Sequence, residues 1–141
     1  MGSRLNPYLS FTGNAREAME FYREVLGGEL ALTTFAEGGL PHEPAEADQV
    51  MHSQLETPSG FTLMGADTIG DTPVPPPSSV QISLSGDADD DSELSGYYEK
   101  LAATGTVVEP LETAPWGDKF GMVTDQFGIL WMVNIAGAQQ G

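Results

Sequence analysis

The sequence predicts an α+β fold built from two βαβββ modules, on the evidence of two internal echoes and one proline-rich connector. The stretch Pro7–Gly28, a short alternating strand followed by a turn and an amphipathic helix, returns as Val80–Gly105. A second echo closes each half, because Gly60–Met64 (GFTLM) resembles Gly128–Met132 (GILWM). Between the halves, residues 67–79 hold four prolines, which the interiors of helices and strands exclude. Two copies of one unit in 141 residues indicate a duplicated module and not a long repeat array.

The first module is predicted to span residues 5–66. Alternating side chains predict a strand over residues 5–12, and a 3.6-residue apolar period then predicts a helix that stops at Gly27. Asn14 is the expected N-cap of this helix, with Glu17 as its capping-box partner. The remaining elements are predicted, in chain order, as a strand, an acidic loop and two strands over residues 29–36, 37–49, 50–56 and 61–66.

The second module repeats this order over residues 80–135, so that the modules and the connector 67–79 form one domain over residues 5–135. Carboxylates at residues 87–91 precede its helix, where the positive end of the helix dipole favours them. Its strands are predicted over residues 80–85, 106–111, 119–124 and 129–134. Residues 1–3 resemble a remnant of cloning, and residues 136–141 are expected to be a disordered tail.

Charge and composition exclude several classes of partner. The chain has 5 Lys and Arg against 21 Asp and Glu, a formal net charge of −16. Phosphate groups are neutralised by basic surfaces, so we expect no nucleic acid and no anionic membrane as partner. The overall field favours cationic ligands, although the charge also fits a plain solubility feature of a high-salt or acidic proteome.

Features that the sequence lacks limit the cellular compartment that we expect and the chemistry that is possible. No apolar run approaches the about 20 residues of a membrane span, and the N-terminus has no secretory signal pattern. Without cysteine there is no disulfide framework, no thiolate nucleophile and no Cys-based zinc site. We therefore expect a cytoplasmic protein.

Several short motifs follow one another in a specific order and spacing. In chain order they are Pro7-Tyr8-Leu9, Gly13-Asn14-Ala15, Ala18-Met19-Glu20-Phe21-Tyr22, Leu26-Gly27-Gly28-Glu29, Val50-Met51-His52, Trp116-Gly117-Asp118 with Phe120-Gly121, and Asp125-Gln126-Phe127-Gly128-Ile129-Leu130-Trp131. Through these motifs the chain resembles the vicinal oxygen chelate superfamily of glyoxalases, bleomycin-resistance proteins and extradiol dioxygenases, and within it the PhnB-like branch. The last turn departs from the family's usual Asp-Pro-Phe-Gly-His, since Gln126 and Ile129 replace the proline and the histidine. The resemblance implies two paired modules that form a curved mixed sheet around a cavity, and usually a homodimer.

The resemblance also implies where a metal would be held. Active superfamily members bind a divalent ion through His, Gln or Glu on the first and last strands of each module. The echoes place these positions at Tyr8 and Met64 in the first module and at Gln81 and Met132 in the second. Thioethers are soft ligands and a phenol stays protonated near neutral pH, so only Gln81 is a usual ligand. We therefore expect no metal, no cofactor and no metal-dependent glyoxalase or dioxygenase chemistry.

The cavity side of the strands is predicted to bind a small molecule, because alternation places there apolar side chains with a few donors and acceptors. The predicted ligand-binding residues are Tyr8, Ser10, His52, Met64, Gln81, Ser83, Trp116, Met132 and Asn134. The leading hypothesis is a metal-free PhnB-like protein that binds a cationic or aromatic small molecule, with no catalytic residue assigned. One alternative is a drug-sequestration protein of the bleomycin-resistance type. The others are a metal-dependent lyase, isomerase or dioxygenase, an enzyme that uses His52 as a general base, and a cavity filled by its own side chains.

Overall fold

The structure, a computed structural model, describes residues 5–39, 41–69 and 80–137. The chain divides into two compact units, Met1–Pro75 and Pro76–Gly141, and each unit contains one βαβββ set. The α+β fold predicted from the sequence is confirmed in the form of two four-stranded mixed sheets. That both modules belong to one domain around a shared cavity stays a prediction.

The first unit forms its sheet in the order β1-β4-β3-β2. Strands β1 and β4 are parallel, and the other neighbours are antiparallel. The elements are β1 (Tyr8–Phe11), α1 (Ala15–Leu26), β2 (Glu29–Thr34), a single helical turn α2 (Phe35–Gly38), a 3-10 turn (Pro44–Glu46), β3 (Val50–Glu56) and β4 (Thr62–Asp67). The acidic stretch predicted as a plain loop therefore contains two short helical turns.

The second unit has the same topology, with the order β5-β8-β7-β6 and parallel pairing only between β5 and β8. Its elements are β5 (Ile82–Gly86), a 3-10 turn (Ala88–Asp90), α3 (Asp91–Thr104), β6 (Thr106–Thr113), β7 (Lys119–Thr124) and β8 (Leu130–Ile135). Asp91 opens α3 and accepts hydrogen bonds from Ser95 and from Lys119, whose Nζ lies 3.1 Å from both carboxylate oxygens. The hydrogen bond from Ser95 and then that from Lys119 lower the pKa of the Asp91 carboxyl below its ordinary value.

Each core lies between one sheet face and one helix. Helix α1 buries an apolar stripe at helical spacing, as predicted: Ala15, Ala18, Met19, Tyr22, Val25 and Leu26. A Cβ added at Gly65 of β4 would lie 3.0 Å from the sulfur of Met19, so the sheet and the helix are in close contact there. In the second unit, Tyr98 of α3 lies over Gly121 of β7 in the same way. Glycines at these two positions allow the helices to approach the sheets.

The first helix is capped by Asp67 and not, as the sequence predicted, by the side chain of Asn14. Asn14 occupies the N-cap position but makes no capping hydrogen bond. Asp67, the last residue of β4, accepts instead from the backbone N–H groups of Gly13 (2.8 Å) and Ala15 (2.9 Å), and from Val50 at 2.9 Å. The parallel pairing of β1 with β4 brings this carboxylate to the start of the helix, where the helix dipole favours a negative charge.

Both predicted boundaries outside the modules need correction. The connector cannot begin at residue 67, because Asp67 is buried and Thr68 donates its N–H to the Phe11 carbonyl at 2.8 Å. The tail does not begin at Ala136, because Ala136 donates to the Gly86 carbonyl at 2.8 Å. Residues 1–3, 70–79 and 138–141 lie outside the described residues. In the ranges that the structure describes, no helix has both the length and the apolar character needed to cross a membrane.

Candidate functional site

The candidate site begins with the sheet faces that point away from the helices. Gly65 faces Met19 of α1, so its neighbour Met64 points to the opposite side of the sheet. Strand pairing sets Tyr8 beside Met64 and Met64 beside Gln54. We call this side the distal face of sheet one, and its members are Tyr8, Ser10, His52, Gln54 and Met64.

An aromatic contact joins two predicted site residues on this face. The hydroxyl oxygen of Tyr8 lies 3.5 Å from Nδ1 of His52, the long limit of a hydrogen bond. Their ring centroids are 5.9 Å apart, with the ring planes inclined by 34°. Tyr8 is 52% exposed, whereas His52 is half-buried. The two residues lie on β1 and β3, which β4 separates, so their side chains meet above β4.

The same face carries a polar group that the predicted ligand set left out. Gln54 donates from Nε2 to Oε1 of Glu56 at 3.1 Å, and the hydroxyl of Thr62 donates to that oxygen at 2.6 Å. Gln54 follows His52 by two residues on one strand, so strand alternation alone could have found it. The neighbouring strand β2 contributes Glu29, which pairs with Glu56 of β3. Negative charge therefore gathers at one end of this face.

The second unit has an equivalent face with a shifted register. Met132 pairs with Ser83 on β5 and with Met122 on β7. The echo in the sequence had placed Gln81 opposite Met132, but Gln81 is exposed and precedes β5. The shift is two residues, so Gln81 and Ser83 remain on the same side of the chain. The distal face of sheet two is defined by Ser83, Phe120, Met122, Met132 and Asn134.

The tight turn before β7 brings Trp116 to one end of this second face. Ala114 donates its N–H to the carbonyl of Asp118 at 2.6 Å, and Trp116 at the tip is 67% exposed. The ring of Trp116 lies 6.4 Å from that of Phe120, between centroids. The Asp118 carboxylate accepts from the amide of Asn134 at 3.3 Å and from the Gly137 N–H at 3.0 Å. Trp116 and Asn134 thus lie at one end of this face together with Asp118 and Phe120, which the predicted ligand set did not include.

The residues at the superfamily's metal positions do not fit a divalent metal. In each unit the paired strands place one hydroxyl beside one thioether, Tyr8 with Met64 and Ser83 with Met132. Divalent zinc, manganese and nickel prefer imidazole, carboxylate or thiolate donors. Elsewhere in residues 5–39, 41–69 and 80–137, no three His, Asp or Glu side chains are grouped closely enough to hold an ion. We therefore assign no metal chemistry to either face.

The chain is similar to known proteins over nearly its whole length. A model of the Glyoxalase/Bleomycin resistance protein/Dioxygenase superfamily matches residues 4–133. Protein YjdN of Escherichia coli K12 is 30% identical over an alignment of 146 positions, which covers 96% of this chain and 97% of YjdN. The crystal structure of PA1353 from Pseudomonas aeruginosa is 36% identical, with a TM-score of 0.80 over 97% of this chain and 100% of that one. The PhnB protein of Bacillus cereus, at 23% identity, shares the fold with a TM-score of 0.72 over 95% of this chain and 100% of its own.

Proposed function

The chain belongs to the glyoxalase/bleomycin resistance protein/dioxygenase superfamily, and on that premise we propose that it binds a small organic molecule on its distal sheet faces. In this proposal binding needs no metal ion, and the protein is a homodimer. The ligand is neutral or cationic and contains an aromatic or other planar group. Nucleic acid and anionic membranes are not partners, since the net charge of −16 would repel them.

The observation that supports binding is the chemistry of the distal faces. At their centres lie methionines, aromatic rings and small polar groups, all half-buried apart from the more exposed Tyr8 and Ser83. With 21 carboxylates, the chain has enough charged side chains to cover its surface if solubility were the only requirement. Solubility therefore does not account for the apolar side chains on the distal faces. Binding sites combine apolar lining with a few polar groups, and methionine adapts to varied ligand shapes.

A ligand screen tests this proposal. Cationic glycopeptides and aromatic metabolites are added to the protein, and the melting temperature is measured for each compound. A ligand present at 100 times its Kd stabilises the folded protein by about 2.7 kcal/mol. We expect at least one compound to raise the melting temperature, and Met64→Ala or Met132→Ala to weaken its binding.

The control for this screen is Ser92→Ala, an exposed position on α3 that belongs to neither distal face. This variant should bind every hit as the unaltered protein does. A panel without any hit, or hits that bind both methionine variants unchanged, would contradict the proposal.

Metal content and oligomeric state are tested separately. After exchange with Zn²⁺, Mn²⁺ and Ni²⁺ followed by dialysis, elemental analysis should find no stoichiometric ion; one ion per chain would overturn the metal-free part. Light scattering on a size-exclusion column should give twice the chain mass of 15.0 kDa. A monomer mass would remove the homodimer from the proposal and leave ligand binding to its own test.

A further inference from the structure

We propose that the Tyr8–His52 couple on sheet one is a recognition site for the carbonyl group of a neutral, planar ligand. This inference rests on the proposed function, because it gives the ligand class of one distal face. It starts from a contact between strands that are not neighbours, since β4 lies between β1 and β3.

The contact between these side chains depends on a small residue beneath them. Ser10 pairs with Ala66, and Ser53 pairs with Gly65, so Ala66 lies on β4 between β1 and the His52 position of β3. Ala66 is 8% exposed. A larger side chain there would rise into the path between the two rings. The strand register thus places a small residue where it leaves space for the side chains of Tyr8 and His52 to meet.

The direction of the hydrogen bond is set by the imidazole tautomer, since a phenol can both donate and accept. In this proposal the Tyr8 hydroxyl donates, and Nδ1 of a neutral His52 accepts. The remaining proton of a neutral imidazole is then on Nε2, which becomes a donor without a partner in the couple. The couple therefore offers one N–H donor beside the half-exposed ring of Tyr8.

The charge on the distal face of sheet one determines which kind of hydrogen-bond acceptor a ligand can offer to His52. The four strands of the first unit contain no Lys or Arg, and carboxylates lie at Glu29 and Glu56. An anionic acceptor such as a carboxylate would be repelled, while a cation would meet the positive end of the N–H bond. A carbonyl oxygen accepts the hydrogen bond without net charge, and a planar group attached to it can stack on the exposed ring of Tyr8.

A pair of probes of nearly equal shape tests the recognition. Acetophenone has a carbonyl where α-methylstyrene has a methylene group, so their difference isolates the hydrogen bond. Titration followed by NMR should give acetophenone an affinity at least about fivefold higher, as expected for one hydrogen bond of about 1 kcal/mol. His52→Phe, which keeps a planar ring, should abolish this preference, whereas Ser92→Ala should preserve it.

The tautomer is tested in the unliganded protein. The chain has two histidines, so His42→Gln assigns their imidazole nitrogen signals without ambiguity. At neutral pH we expect His52 to carry its proton on Nε2, and Tyr8→Phe to shift the tautomer mixture. A proton on Nδ1 in the unaltered protein would overturn the inferred hydrogen bond.

The outcomes separate this inference from the proposed function. Equal affinity for both probes overturns carbonyl recognition but leaves small-molecule binding standing, as does binding of both that His52→Phe leaves unchanged. No binding of either probe at millimolar concentration also overturns the inference, while the wider ligand screen decides the proposed function by itself.

Discussion

At the scale of single residues, Asp67 has a stabilising role in the first unit that the neighbouring sequence does not reveal. Its carboxylate is buried and accepts hydrogen bonds from three backbone N–H groups, of Gly13, Ala15 and Val50. These three donors belong to the turn before α1, the start of α1 and the start of β3. One side chain at the end of β4 therefore joins the start of α1 to the start of β3, two segments that are distant in sequence.

Replacing Asp67 with alanine should therefore destabilise the protein strongly. The buried N–H groups of Ala15 and Val50 and the part-buried N–H of Gly13 would lose their acceptor. We expect a cost of at least about 3 kcal/mol in the free energy of unfolding. Urea denaturation of Asp67→Ala measures this loss. Asp48→Ala removes an exposed carboxylate nearby and should stay within about 0.5 kcal/mol of the unaltered protein. Equal stability of the two variants would show that Asp67 is not the effective cap.

A second residue predicts how stability depends on pH. The Tyr98 hydroxyl donates to the Glu109 carbonyl at 2.8 Å. Burial raises the pKa of the phenol above its ordinary value of 10.0. A backbone hydrogen bond with Leu111 offsets part of this rise, and the Glu109 carboxylate adds to it. A raised pKa means that the folded protein holds this proton more tightly. The stabilisation is therefore complete below the unfolded pKa and is lost as the pH rises through the folded pKa.

The test compares Tyr98→Phe with the unaltered protein from pH 8 to 11. At pH 8 the variant should be less stable by about 1 kcal/mol, for the lost hydrogen bond. As the pH rises, the unaltered protein should lose stability more steeply, so that the gap narrows. Other tyrosines and lysines titrate in both proteins and cancel in the difference. Parallel pH profiles would contradict the raised pKa.

Residue-level predictions from sequence succeeded where only alternation mattered. Strand alternation predicts that nine apolar residues face the helices: Leu9, Phe11, Phe61, Leu63, Ile82, Leu84, Ile129, Trp131 and Val133. Six of them are buried, whereas Leu9, Phe61 and Ile82 are half-buried. Prediction failed where a long-range partner decides the outcome. Asn14 is a sound local N-cap, but a carboxylate more than fifty residues away takes its role. Gln81 was chosen from an ungapped echo, whereas the pairing of β5 with β8 is shifted by two residues.

At the scale of elements, the connection from α1 to β2 depends on glycine. Gly28 has φ +106°, and a Cβ there would overlap the carbonyl oxygen of Glu56. Gly60 has a similar φ of +88°, but a Cβ there would meet no heavy atom within 4 Å. The two positions share the backbone requirement and differ in the space available.

This pair gives a prediction with a built-in control. Gly60→Ala should cost about 1–2 kcal/mol for the left-handed backbone alone. Gly28→Ala should cost clearly more, about 3 kcal/mol or above, since the β2–β3 edge must also move. Chemical denaturation of both variants measures the difference. If Gly28→Ala is no worse than Gly60→Ala, then the turn after α1 can move away from the backbone of Glu56 and Thr57 without penalty.

Element boundaries were predictable where apolar alternation runs uninterrupted. The bounds of β3 and β7 match the sequence prediction. Strand β2 was predicted two residues too long, because Phe35 continues the apolar pattern. The chain instead turns into α2, where Thr34 and Glu37 form a reciprocal capping box. This capping box can be recognised in the local sequence. The prediction missed α2 because it did not take the capping box into account.

At the scale of the whole molecule, charge is the dominant feature. The formal net charge of −16 on 141 residues sets like charges against each other in the folded state. Among the described residues, Lys119 forms an ion pair with Asp91, but the chain has only 5 Lys and Arg to pair with 21 Asp and Glu. Screening by dissolved salt should therefore relieve repulsion more than it weakens attraction.

Raising NaCl from 10 mM to 500 mM should raise the melting temperature by about 3 °C, equivalent to roughly 1 kcal/mol for a chain of this size. Calorimetry in NaCl and KCl series measures the shift, and both salts should act alike because screening depends on ionic strength. A constant or falling melting temperature would show that the carboxylates are spaced too widely to repel.

The parallel pairing of β1 with β4, and of β5 with β8, also has a consequence for synthesis. On the ribosome β1 emerges first but lacks a sheet neighbour until Met64 and the rest of its partner strand have been made. Each half of the polypeptide can thus close only when its last strand arrives, which makes closure late and non-local. A nascent chain stalled before Asp67 would leave Phe11 and the apolar side of the first helix open to chaperones and proteases.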